Sequence, residues 1–125
     1  MSEPDYEVVT STSDAGFLRI TVAGVFGVQR TKHLFDRAAA DAKHHGASRV
    51  LIDAMGVVGS VSTMAHLELG AHAASRFRGV RFVLVGRPEV IDRFGETVAV
   101  NRGADARVFL NEAEALSWLL GDGKA

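Results

Sequence analysis

Asp53, Ser60, Ser62 and Thr63 fall close together in the stretch "LIDAMGVVGSVSTM", Leu51 to Met64, and are the side chains of this chain best placed to do chemistry. A carboxylate followed by hydroxyls could pair a base with a nucleophile, but the remaining parts are missing. No second acid follows Asp53 closely enough to form a dyad. Nor does "GSVST" supply the G-x-S-x-G turn that holds a serine nucleophile between strand and helix. Asp53, expected at a strand end, reads as a carboxylate in a partner- or ligand-binding cleft or as an acceptor for the backbone of the loop it precedes. For the hydroxyls two readings stay open. Ser60 or Ser62 satisfies orphan N–H groups as a helix N-cap, worth about 1 kcal/mol. Alternatively Ser62 or Thr63 is a phosphoacceptor, because a phosphate at a helix N-terminus meets N–H donors and the positive end of the dipole.

Other catalytic and metal-binding patterns are absent from the sequence. "GVFGV" carries neither a following lysine nor G-x-G-x-x-G spacing, so it is no phosphate loop. With no cysteine there is neither a disulfide framework nor a thiolate metal site. His66 and His72 are too far apart to share a helix face, His44 and His45 suit the end of a helix, and His33 stands alone. The chain is therefore read as non-enzymatic, with no cofactor and no metal.

The elements that hold these residues follow from periodicity. "YEVVTS" and "FLRITVAG" are β-rich runs around the polar turn "TSDAG", an opening hairpin. Leu34, Phe35, Ala38 and Ala42 recur at helical spacing from about Val28 to a stop at Gly46. "RVLIDAM" is a strand covered on both faces. A second helix runs from Ser62 to Phe77 with Met64, Leu67, Ala71 and Ala74 inward, followed by the strand "VRFVLVG". Pro88 fits the first turn of a third helix that buries Ile91, Phe94 and Val98. "ARVFLN" is the last strand, and Asn111 with Glu114 caps a closing helix docked through Leu116, Trp118 and Leu119. The order β-β-α-β-α-β-α-β-α implies one α/β domain. It has a mixed, mostly parallel sheet of five strands and four helices, with the first strand antiparallel to its neighbour.

Ligands of parallel α/β sheets gather beyond the carboxyl ends of the strands. There this chain has Val25, Phe26, Val57, Val58 and Val61 in place of polar turn residues. Together they read as an apolar rim for a partner protein or a small apolar ligand, or else as core folded inward. The 125 residues suffice for a single core, and 47% apolar with 23% charged residues is ordinary globular composition. A net charge of −1 gives no pull toward nucleic acid, and Arg76, Arg78, Arg81 and Arg87 read as solvated. The first residues lack the basic start and apolar run of a secretory signal, and no stretch approaches a membrane span. A cytoplasmic protein is expected.

The strand "RVLIDAMG" leading to "SVSTM", the strand "FVLVG" and the closing "ARVFLNEAEALSWL" resemble a STAS domain, the SpoIIAA-like fold of bacterial anti-sigma factor antagonists. The ending is also similar to a STAS-like branch grouped with SEC14-type lipid-binding folds. In the antagonists a strand-end aspartate precedes an Asp-Ser-Ser-Gly motif at the head of the next helix, whose second serine is phosphorylated by a partner kinase. The resemblance places Asp53 on that aspartate and Val61, Ser62, Thr63 and Met64 on the motif, with Thr63 on the phosphoacceptor and Ser62 before it. The motif's aspartate and glycine are replaced here, and Val25 and Phe26 stand where antagonists carry acidic residues. What the resemblance implies is a regulatory or interaction module whose partner is a kinase or an anti-sigma factor. The alternative is a carrier or sensor of a small apolar or lipid-like ligand, lined by Phe26, Val57, Val58, Val61 and the second helix. A homodimer through apolar helix faces fits either.

Overall fold

The computed structural model of the chain describes residues 6–13, 16–91 and 93–121. Strands β1 (Glu7–Thr12) and β2 (Leu18–Val25) form the opening antiparallel pair, in unbroken register from Glu7↔Ala23 to Thr12↔Leu18. The turn expected between them falls partly on Asp14 and Ala15, outside the described residues. Helix α1 (Val28–His45) leads to β3 (Arg49–Val58), and α2 (Thr63–Arg76) to β4 (Arg81–Val85). Helix α3 (Arg93–Asn101), β5 (Asp105–Phe109) and α4 (Glu112–Leu119) complete the chain. The strands lie in the order β1-β2-β3-β4-β5, parallel after the first pair. This is the expected architecture.

Apolar residues on both sides of the sheet create two cores. Leu18, Ile20, Val22, Val50, Ile52 and Phe82 face the larger one, closed by α1, α2 and α3. Leu51, Val83 and Val85 face α4, which buries Ala115 and Leu119 fully and rests Leu116 and Trp118 against them. Helix α4 packs on β3 to β5 and touches β2 through the Arg19–Glu112 bond, so among the described residues most of the other face of β1 and β2 carries no helix.

Two helix boundaries follow from residue type. Gly46 takes the left-handed conformation (φ 65°) that lets the N–H of Ala47 reach the carbonyl of Ala42, so α1 stops there. Asn111 caps α4 by accepting from the Glu114 N–H at 2.9 Å.

Two helices differ from expectation. Pro88 lies in a turn in which the N–H groups of Val90 and Ile91 both bond the Arg87 carbonyl, and α3 begins only at Arg93. Ile91 is buried but precedes the helix, and Phe94 points to solvent. On α2 the buried residues are Ala65, Leu69, Gly70, Ala73 and Ala74, so Met64 and Leu67 are exposed and Ala71 only half-buried. For α2 the cause is the close approach of α3. Gly70 meets the Gly95 backbone, and only small side chains fit between the helices.

Charged groups tie α1 to α2. Asp36 accepts from Arg76 Nε at 2.6 Å and is bonded to His72 Nε2 at 2.8 Å, and Lys32 pairs with Glu68. The Arg76 bond, then the His72 bond, holds the Asp36 carboxyl below the ordinary carboxylate range. On the other face Arg19 does the same for Glu112 at 2.6 Å, joining β2 to α4. A depressed carboxyl contributes stability above its unfolded pKa and loses it as pH falls through the folded one. Unfolding followed from about pH 5 to 2 should therefore show stability dropping below roughly pH 4. Asp36→Asn should show a shallower acid limb, whereas an unchanged limb would remove this bridge as its cause.

Candidate functional site

The hydroxyl cluster lies where the β3–α2 connection crosses the carboxyl end of the sheet. Ser62 is extended (φ −73°, ψ 160°), and its Oγ accepts from the Ala65 N–H at 3.1 Å, so its hydroxyl is committed as the N-cap. Thr63 is the first helical residue and is exposed, as is Ser60 in the preceding loop. No acidic side chain stands in the first turn of α2 to oppose a negative charge there.

Asp53 is not at a strand end. β3 continues to Val58, and the pairings Thr21↔Asp53 and Ala23↔Gly56 set Ala54 and Met55 together against Val22, a β-bulge. Asp53 Oδ1 accepts from the Met55 N–H at 3.1 Å and Oδ2 lies 3.8 Å from Arg19, while Arg87 Nε donates to the Met55 carbonyl at 2.9 Å. The backbone groups freed by the bulge are thus held by an aspartate and an arginine, a structural duty for Asp53.

The bulge also divides the expected apolar rim. Val57 and Val58 belong to the strand, paired with Gly24 and Val25. Beyond the bulge Val57 turns inward and is buried, whereas Val58 and Val25 stand side by side on the opposite face, 43% and 60% exposed. With Met64 at the start of α2, 69% exposed, they leave apolar surface at the end of the sheet that carries Thr63.

Phe26, Val57 and Val61 instead line a cavity of about 100 Å³ between the sheet and helices α2 and α3. His66, Leu69, Gly70 and Ala73 of α2 share this lining, and Val58 does not. The sequence gives no reason to join His66, Gly95 and Glu96 to this lining, because only the packing of α2 on α3 brings them together. Among the described residues no cluster of His, Cys, Asp and Glu could hold a metal ion. No helix among them is long and apolar enough to cross a membrane.

Among solved structures the chain is similar to a variant of RsbS from Moorella thermoacetica, at 18% identity and a TM-score of 0.55, over 90% of this chain and 93% of that one. It is similar also to an uncharacterized protein of the DUF3478 family with a SpoIIAA-like fold from Shewanella loihica. That match has 18% identity and a TM-score of 0.51, over 95% and 98% of the two chains. No protein-family model matches the chain, and no curated relative does. The domain has a SpoIIAA-like fold, with Thr63 heading the helix after β3.

Proposed function

We propose that this chain is a non-enzymatic regulatory module that docks a protein partner at the carboxyl end of its sheet and is switched by phosphorylation of Thr63. The observation that carries the reading is the exposure of Val25, Val58 and Met64 beside a free-standing Thr63 hydroxyl, while the neighbouring Ser62 hydroxyl is taken by its cap. Exposed apolar side chains at one end of the sheet favour a partner, and a phosphate on Thr63, next to Met64, would oppose apolar docking through its charge. The likeness of fold to RsbS supports a kinase or an anti-sigma factor as that partner.

The test uses the intact protein with a partner identified by co-purification and then made pure. Val58→Glu and Met64→Glu should each weaken binding by about tenfold or more without lowering Tm. Phosphate should appear on the wild type and vanish in Thr63→Ala. Ser62→Ala should keep the phosphate and lose about 1 kcal/mol of stability with its cap. Unchanged partner affinity in both glutamate variants, or phosphate persisting in Thr63→Ala, would sink the corresponding half of the proposal.

A second reading, a carrier or sensor of a small apolar ligand, is supported by the cavity beneath α2 and α3.

A further inference from the structure

We propose that this cavity binds one small, uncharged, apolar molecule no larger than a single aromatic ring, and excludes lipid-sized ligands. The inference rests on the carrier reading and names its ligand class.

Native interiors leave few voids larger than a water molecule. Here a volume of about 100 Å³ opens among the short side chains of Ala54, Ala73, Ala99 and Ala106, beside the glycine contact of α2 on α3. On a helix or strand of a core, any of these positions ordinarily takes a larger aliphatic side chain. The apolar wall is completed by Phe26, Leu34, Phe35, Val57, Leu69 and Phe82.

The hydroxyls and the carboxylate in the wall are already engaged. The hydroxyls of Tyr6 and Thr31 bond each other at 2.9 Å, Thr31 donates to the Gly27 carbonyl at 2.7 Å, and the Gly27 N–H donates to Tyr6 at 3.2 Å. Glu96 Oε2 accepts from the Val108 N–H at 2.9 Å. Arg107 and His66 also reach the wall, Arg107 beside the Phe109 ring, but the rest of the lining is apolar, so a ligand charge would lose its water with little in return, whereas a hydrocarbon breaks no bond.

Size sets the upper limit. An engineered cavity of about 150 Å³ lined by aliphatic and aromatic side chains stays dry and takes up benzene or xenon. Pockets for drug-sized ligands run from about 300 Å³ upward. Access lies at Phe26 and Val61, and between α2 and α3 at His66 and Gly95, where lining residues keep partial exposure.

The experiment uses the full chain with benzene as probe. Thermal unfolding is followed against benzene concentration, and ¹²⁹Xe NMR reports direct entry of xenon. Benzene should raise Tm saturably, with Kd on the order of 1 mM. Ala73→Leu should fill the space and weaken benzene binding by at least about tenfold. Ala106→Val, a smaller filling on the sheet side, keeps the test decisive should Ala73→Leu fail to fold, and should also weaken it. No benzene shift and no xenon signal in the wild type would overturn the proposal, as would undiminished binding in a folded, filled variant. Dodecanoate binding with the same sensitivity to filling would overturn the size limit while leaving the carrier reading in place. The surface variants Val58→Glu and Met64→Glu should bind benzene normally, so loss of partner docking and loss of the cavity ligand are separable.

Discussion

Phe77→Ala should destabilise the protein by about 4 kcal/mol, a large share of the 5–15 kcal/mol that holds a domain of this kind together. Phe77 closes α2 as its C-cap, and its N–H bonds the Ala73 carbonyl, so the ring enters the core where the helix ends. There it is 1% exposed. One neighbour is Phe35 of α1, edge-on with ring centroids 6.0 Å apart. The other is Phe82 of β4, tilted by 31° at 4.4 Å. Truncation removes a side chain shared by two helices and the sheet, and these cannot all collapse onto the space together, which places the cost near the upper part of the range for buried aromatic residues. Phe77→Leu keeps most of the volume and should cost less than about 1.5 kcal/mol. Urea unfolding of both variants decides the point through their midpoints at unchanged slope. If alanine and leucine cost the same, the three rings are not the clamp between α1, α2 and β4.

The order of elements was legible because the apolar residues change period cleanly. Short alternating or continuous runs mark β1 to β5, and Leu34, Phe35, Ala38 and Ala42 mark α1. Gly46 and Asn111 were readable as caps since each acts through its own residue type. What the sequence concealed depends on contacts between distant segments. Met64, Leu67, Ala71 and Ala74 form as good a helical stripe as the residues α2 buries. The choice between them is made by α3, which approaches so closely that alanine and glycine are preferred over leucine. Pro88 has the residue type of a helix start, but the carbonyl of Arg87 captures two N–H groups and holds a turn instead.

The site was half legible for a related reason. Chain position placed Val25, Phe26, Val57, Val58 and Val61 at one end of the sheet, and the strands do end there. Which valine faces the core and which faces water hangs on a single bulge, and that bulge is held by Asp53 from its own strand and Arg87 from beyond β4. A two-residue period read along "IDAMGVVG" cannot carry that reset. One consequence is functional. The bulge sends Val57 toward the cavity and Val58 toward solvent, so adjacent residues serve two different surfaces of the molecule.

Gly70→Val should cost about 3 kcal/mol, and Gly70→Ala should destabilise even though alanine is the better helix former. Inside α2, replacing glycine by alanine gains about 1 kcal/mol from helix propensity. Against that, a β-carbon at position 70 would sit 2.6 Å from the Gly95 carbonyl oxygen and 3.0 Å from Val98 Cβ. The first of these is backbone in the neighbouring helix, so relief requires α3 to shift as a unit, and overpacking of this kind costs about 1–3 kcal/mol. For alanine the clash outweighs the propensity gain by about 1 kcal/mol. Valine adds two further methyl groups and a β-branched side chain, and no offsetting gain. Because Gly70 and Gly95 also line the cavity, forcing α3 away from α2 should change benzene uptake as well as the unfolding midpoint. Chemical denaturation of both variants, each with and without benzene, measures the two effects together. A Gly70→Ala protein more stable than the wild type would show that α2 and α3 are not held apart by the width of one glycine, and would remove the physical reason for the small residues that keep the cavity open.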